Sequence, residues 1–178
     1  PTPERLRAAL EGHGVVTVGT VFRGDKPSGA GTPEELRRAA DVVLVEADGA
    51  KRLPLKAPAE YEPVIPPCAD AVAAVAGMDA VGQAVGAVCH RPERVCALLG
   101  AGAEHVLTPE DVALLLANPQ GGRKGVGEAM AFRCVLNKAD TPERAAHASA
   151  VAGRLAERGI HSAITYYREE ERGGLCWF

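Results

Sequence analysis

No two cysteines of this chain stand in C-x-x-C spacing, and the five present (Cys68, Cys89, Cys96, Cys134, Cys176) are odd in number. A disulfide scaffold and a structural zinc site are therefore disfavoured, and reduced thiols in a cytoplasmic protein are expected. Only Cys89, His90 and Cys96 stand close enough in sequence to suggest a soft metal or chalcogen. Aromatic residues are scarce at 4%, which argues against a base-stacking surface. A formal net charge of −3 sets up no field for a polyanion, so no nucleic-acid partner is expected. No apolar run approaches the roughly 18–20 residues that span a bilayer, so no membrane association is expected. The opening "PTPERLRAAL" has neither the basic start nor the apolar stretch of a signal peptide. It also lacks an initiating methionine and begins at a helix cap, so a piece preceding Pro1 is expected.

The absence that matters most is a phosphate cradle. The pattern G-x-x-x-x-G-K-[ST] does not occur. "GTVFRGDK" (19–26) comes near, but Asp25 precedes the lysine and Pro27 follows it, so a carboxylate would face the phosphate. "SGAGTPEE" (28–35) has glycines but no lysine, and places acids at a helix start.

What is present reads as one α/β domain over 1–178. Apolar residues make up 47% and charged residues 24%, with alanine, valine and glycine prominent, a mix suited to helices packed on a sheet. Thr-Pro-Glu occurs four times, at Thr2, Thr32, Thr108 and Thr141. Each is a helix start: threonine caps free amides, proline at the first position loses nothing, and glutamate complements the dipole. Thr32 with Glu35 has capping-box spacing. Helices are expected over 3–11, 33–40, 91–99, 109–117 and 142–158. Strands are expected over 14–19, 41–47, 70–77, 132–137 and 162–167. Apolar runs without alternation predict a mostly parallel sheet covered on both faces, in three layers. The proline-marked segment 49–69 is expected as an ordered arm, and "NPQGGRKGVG" (118–127) as a mobile loop.

Ligands of open α/β sheets bind beyond the carboxyl ends of strands. Three expected strands end there in polar residues: Glu46-Ala47-Asp48-Gly49, Gly77-Met78-Asp79 and Asn137-Lys138-Ala139-Asp140. Period-two geometry puts Glu46 and Asp48 on one face, where a divalent cation, or bound water with a basic neighbour, would relieve their repulsion, unless they are simply solvated acids of a strand-terminal turn; Mg2+ with GTP or ATP is the expected cofactor. Asn137-Lys138-Ala139-Asp140 fits the N-K-x-D pattern that reads guanine, though it also serves as a plain helix start. Lys51, Arg52, Lys56, Arg123 and Lys124 are candidate phosphate contacts, or simply solvated surface. His90 is a candidate general acid/base, or a residue that only fixes the local turn.

"VLVEADGAKRLPLKAPAEYEPVIP" (43–66), "GMDAVG" (77–82), "CHRPE" (89–93), "KG" (124–125) and "LNKAD" (136–140), in this order and spacing, resemble the YqeC family. These are accessory proteins implicated in selenium cofactor biosynthesis for selenium-dependent molybdenum hydroxylases. The resemblance implies a P-loop NTPase-like fold, here lacking the N-terminal Walker A strand-loop-helix that members carry upstream. It implies Glu46, Asp48 and Gly49 as the Walker B-like strand end; Asp79 and Arg91, which stand in matching blocks, join Lys51 and Lys56 as substrate or phosphate candidates, and Lys124 is a nucleotide-binding candidate. It implies a selenium-dependent molybdenum hydroxylase, or the molybdenum cofactor itself, as partner. Tyr61 departs from the pattern, which more often has histidine. Two further readings stay open: a non-catalytic chaperone using the arm, and a small phosphotransferase or ligase with its substrate site under the 118–127 loop.

Overall fold

The computed structural model describes residues 2–22, 26–28, 31–167 and 174–177. The chain forms two compact units, residues 1–46 with 66–68, and residues 47–65 with 69–178.

The first unit holds helix α1 (Pro3–His13), the antiparallel strands β1 (Thr20–Phe22) and β2 (Lys26–Ser28), and helix α2 (Pro33–Arg37). Thr2 and Thr32 cap the two helices as their sequence predicts, and Glu35 completes the capping box. Two expected strands do not form here. Residues 14–19 and 41–47 are irregular, and Val42 and Leu44 are 74% and 93% exposed. A strand exists only if neighbours take its amides and carbonyls. Among the described residues no ladder pairs with either stretch.

The second unit contains β3 (Leu55–Lys56), β4 (Ala71–Gly77), a 3-10 turn (Met78–Ala80), α3 (Val85–Val88) and β5 (Cys89–His90). After these come α4 (Pro92–Leu99), α5 (Pro109–Ala117), β6 (Ala131–Asn137), α6 (Pro142–Ala156), β7 (Ser162–Tyr166) and β8 (Gly174–Trp177). The main sheet has the order β4-β6-β7-β8, parallel except for β8. An α/β architecture with a mostly parallel sheet is thus present. Strands β3 and β5 form a separate short parallel pair.

Burial alternates along β6: Phe132, Cys134 and Leu136 are buried, whereas Ala131, Arg133 and Asn137 are exposed. Val75 of β4 is 59% exposed on the same side as Arg133. The expectation of burial on both faces is therefore corrected: one face of β4 and β6 carries the core and the other meets solvent. Packed against the buried face, α5 and α6 contribute Val112, Leu115, Leu116, Val151 and Leu155 to a core shared with Met78, Leu107 and Leu136. Fully burying such side chains stabilises by roughly 1.5–3 kcal/mol each.

Residues 118–127 are also unlike their expectation. The Gly122 amide donates to the Leu115 carbonyl at 2.9 Å and the Gly121 amide to Asn118 at 2.8 Å. A Cβ at Gly121 would stand 2.2 Å from the Leu115 oxygen. The chain is folded tightly back on the end of α5, which only glycine permits.

Candidate functional site

Apart from Glu46, the predicted site residues fall into two clusters of the second unit. The first is built on the β3–β5 pair, which sets Lys56 opposite His90. The Lys56 ammonium meets Asp48 and Glu62, both at 2.9 Å, and donates to the Gly49 carbonyl at 2.9 Å. Arg91 holds both carboxylate oxygens of Glu62, each at 2.8 Å, and the Ala59 amide adds a third donor. Such bidentate, charge-assisted contacts are the stronger kind. Burial alone would raise the Glu62 pKa, but hydrogen bonds from Lys56 and Arg91 outweigh it and hold the carboxyl at about 2.

Around this core the backbone carries unusual conformations on cations. Lys51 and Arg52 both have positive φ, 51° and 65°, in a turn closed by the Leu53 amide on the Ala50 carbonyl at 2.9 Å. Arg91, at the start of α4, has φ 61°. A left-handed conformation costs a non-glycine residue about 1–2 kcal/mol, and such outliers concentrate at ligand sites. Burial, then the charges of Arg91, Lys51 and Lys56, lower the His90 pKa, leaving a neutral imidazole at pH 7. Lys124 reaches the arm from the glycine-rich turn, its ammonium bonded to the carbonyls of Ala59 and Glu60.

The second cluster lies at the carboxyl rim of the main sheet, where Gly77 of β4 is the register partner of Asn137 of β6. Lys138 (φ 62°) pairs with Asp79 at 2.7 Å. Asn137 accepts from the Lys138 amide and the Thr165 hydroxyl, at 2.8 and 2.9 Å. Asp140 accepts from the Tyr167 amide at 2.8 Å, and its second oxygen lies 3.8 Å from the Arg144 guanidinium. The arm touches this rim through Pro54, whose carbonyl accepts from the Gly77 amide at 2.8 Å. A Cβ at Gly77 would strike Asp79 and Pro54, at 2.4 and 2.8 Å.

Glu46 is exposed and belongs to the first unit. Because 41–47 is not a strand, the period-two argument that set Glu46 beside Asp48 does not apply. Asp48 instead has an ammonium as its counter-ion. Among the described residues no three His, Cys, Asp or Glu side chains are grouped to hold a metal. Magnesium carried with a nucleotide takes only one or two protein carboxylates, phosphate oxygens and water completing its shell; the Asp48 carboxylate is paired with Lys56 at 2.9 Å. Sequence reasoning also passed over Glu62, the hub of the first cluster. Its signal was its place between Tyr61 and Pro63 in an arm flanked by basic residues.

A sequence model of the family described as "YqeC protein" matches residues 2–93. The uncharacterized protein YqeC of Escherichia coli (strain K12) is 31% identical over 137 residues, covering 74% of this chain and 54% of that protein. The chain belongs to the YqeC family. It spans about half the length of that curated relative. No solved structure matches the chain. Both charged clusters fall within blocks that carry the family resemblance, and the Asp48–Lys56–Glu62–Arg91 network lies wholly inside the matched segment. Among the described residues no helix is long and apolar enough to cross a membrane.

Proposed function

We propose that this YqeC chain is part of a nucleotide-binding accessory protein, acting in the maturation of selenium-dependent molybdenum hydroxylases. The observation that carries the reading is the position of Asn137-Lys138-Ala139-Asp140, at the carboxyl end of a parallel strand, where Lys138 pairs with Asp79 of the turn that follows the neighbouring strand. Such a rim is where open α/β sheets take ligands. In this reading Asp140 accepts from the edge of a guanine while its other oxygen keeps the Tyr167 amide, and Lys138 lies along the ring. Lys51, Arg52 and Arg91 form the anion-attracting face, with His90 neutral beside them and able to accept a proton. The Gly49 carbonyl accepts from Lys56, and Lys56 and Lys124 brace the arm.

The test is binding of GTP, XTP and ATP to the gene's full-length product and to its Asp140→Asn variant. Asparagine keeps a carbonyl for Tyr167 but replaces an acceptor with a donor at the base. GTP affinity should fall at least tenfold and XTP affinity rise. Equal binding of all three nucleotides by both proteins, or no binding, would sink the reading.

A second reading, a non-catalytic chaperone for the hydroxylase or its cofactor, is favoured by the closed charge network that fixes the arm. That arm leaves Tyr61 and Val64 76% and 69% exposed. Capture of a molybdenum hydroxylase should then survive the combined Glu46→Ala and Asp48→Ala substitutions. Loss of capture in a folded variant would count against it.

A further inference from the structure

Strand β4 stands at one end of the main sheet, since the order β4-β6-β7-β8 gives it a neighbour on one side only. The Asp70 carbonyl accepts from the Ala131 amide of β6 at 2.9 Å, so Val72, Ala74 and Ala76 turn their backbone groups the same way, toward β6. The Gly77 amide points oppositely, to the Pro54 carbonyl at 2.8 Å. Ala71, Ala73 and Val75 therefore direct their amides and carbonyls outward, and among the described residues no backbone group pairs with them. Natural sheets shield such an edge with a charge, a proline or a bulge. The strand sequence AVAAVAG has none of these, and Pro54 closes only its last residue. The side chains of the same three residues face solvent, Val75 being 59% exposed. Arg133 of β6 lies on that side too, its guanidinium turned back to the Phe132 carbonyl at 2.8 Å.

We propose that the edge and outer face of β4 are the docking surface for a strand and its adjoining helix, supplied by the part of the full-length product that lies outside residues 1–178. Parallel strands occur almost only in sheets covered on both faces, and β4, β6 and β7 are parallel while the face bearing Ala73 and Val75 is bare. The 137 residues matched in the Escherichia coli relative are only 54% of that protein, so a member of this family has chain to spare for a strand–helix unit of roughly 30 residues. A second copy of this chain, paired edge to edge, would take up the three amides but leave Val75 and its face in water. A strand with its helix does both: the strand extends the ladder and the helix covers the face. The small side chains of Ala71 and Ala73 let that helix approach closely. Arg133, the only charged residue of β4 and β6, calls for a carboxylate on it. The docking is independent of nucleotide binding.

The test uses the full-length product without nucleotide, labelled with 15N and at its methyl groups for NMR. The amides of Ala73 and Val75 should exchange with solvent about a hundredfold or more slower than in an unstructured chain. NOEs from the Ala73 and Val75 methyl groups to residues outside 1–178 are expected. Val75→Lys should lower the melting temperature by about 4 °C or more, because it puts a charge under the helix. Val106→Lys, at a position of similar exposure, 53%, should leave it unchanged. Unprotected amides at Ala73 and Val75 would overturn the proposal. So would NOEs from Val75 to a second copy in a sample of mixed isotope labels, NOEs to no residue outside 1–178, or equal melting temperatures for the two variants.

Discussion

Replacing Glu62 by glutamine tests whether the arm is held by charge or by packing. Glutamine keeps the size and one acceptor, but leaves Arg91 without its bidentate partner and Lys56 with Asp48 alone. The carboxyl sits at about 2 against an ordinary 4.5. At about 1.4 kcal/mol per tenfold change, that difference is worth roughly 3 kcal/mol at full effect. Solvent reaching the network trims this to about 1–3 kcal/mol. The sign follows from the depressed value: the stabilisation is complete above the unfolded pKa near 4.5 and fades as pH falls toward 2. Urea unfolding of parent and variant at pH 7, 4 and 3 measures it. The parent should be more stable by 1–3 kcal/mol at pH 7, with the gap narrowing at pH 4 and smaller still at pH 3. A gap that is independent of pH, or below about 0.3 kcal/mol at pH 7, would refute the electrostatic account of the arm.

Three other outcomes follow from named contacts. Burial pushes the thiols of Cys89 and Cys134 up to about 11 and 12, so at pH 8 a disulfide reagent should label the half-buried Cys68 and Cys96 before Cys89 and Cys134, which it should reach only on unfolding; mass spectrometry of labelled peptides checks the order. Gly121→Ala should lower stability by about 1–3 kcal/mol, because its Cβ would meet a backbone oxygen, whereas Gly102→Ala, with nothing within 4 Å, should be near neutral in the same melt. Thr108→Ala removes the capping box that starts α5, where the hydroxyl accepts from the Asp111 amide at 3.2 Å, and should cost about 1 kcal/mol in chemical unfolding.

Sequence alone determined the features whose causes are local. All four Thr-Pro-Glu tripeptides start helices, because a cap is decided within three residues by a hydroxyl, a ring and a carboxylate. Strands β4, β6 and β7 were legible as short apolar runs, the first two ending in polar residues, and their parallel pairing agrees with the alternation of strand and helix. The family blocks were legible for the same reason, being contiguous words of sequence. Tertiary structure decided the rest. The run 42–45 is as apolar as β6, yet stays irregular and exposed, since a strand is a property of its neighbours as well as of itself. Glu62 acquired its role from Arg91, 29 residues away, and Asp48 its counter-ion from Lys56. Charges find partners through space, and that distance is fixed only when the chain has folded.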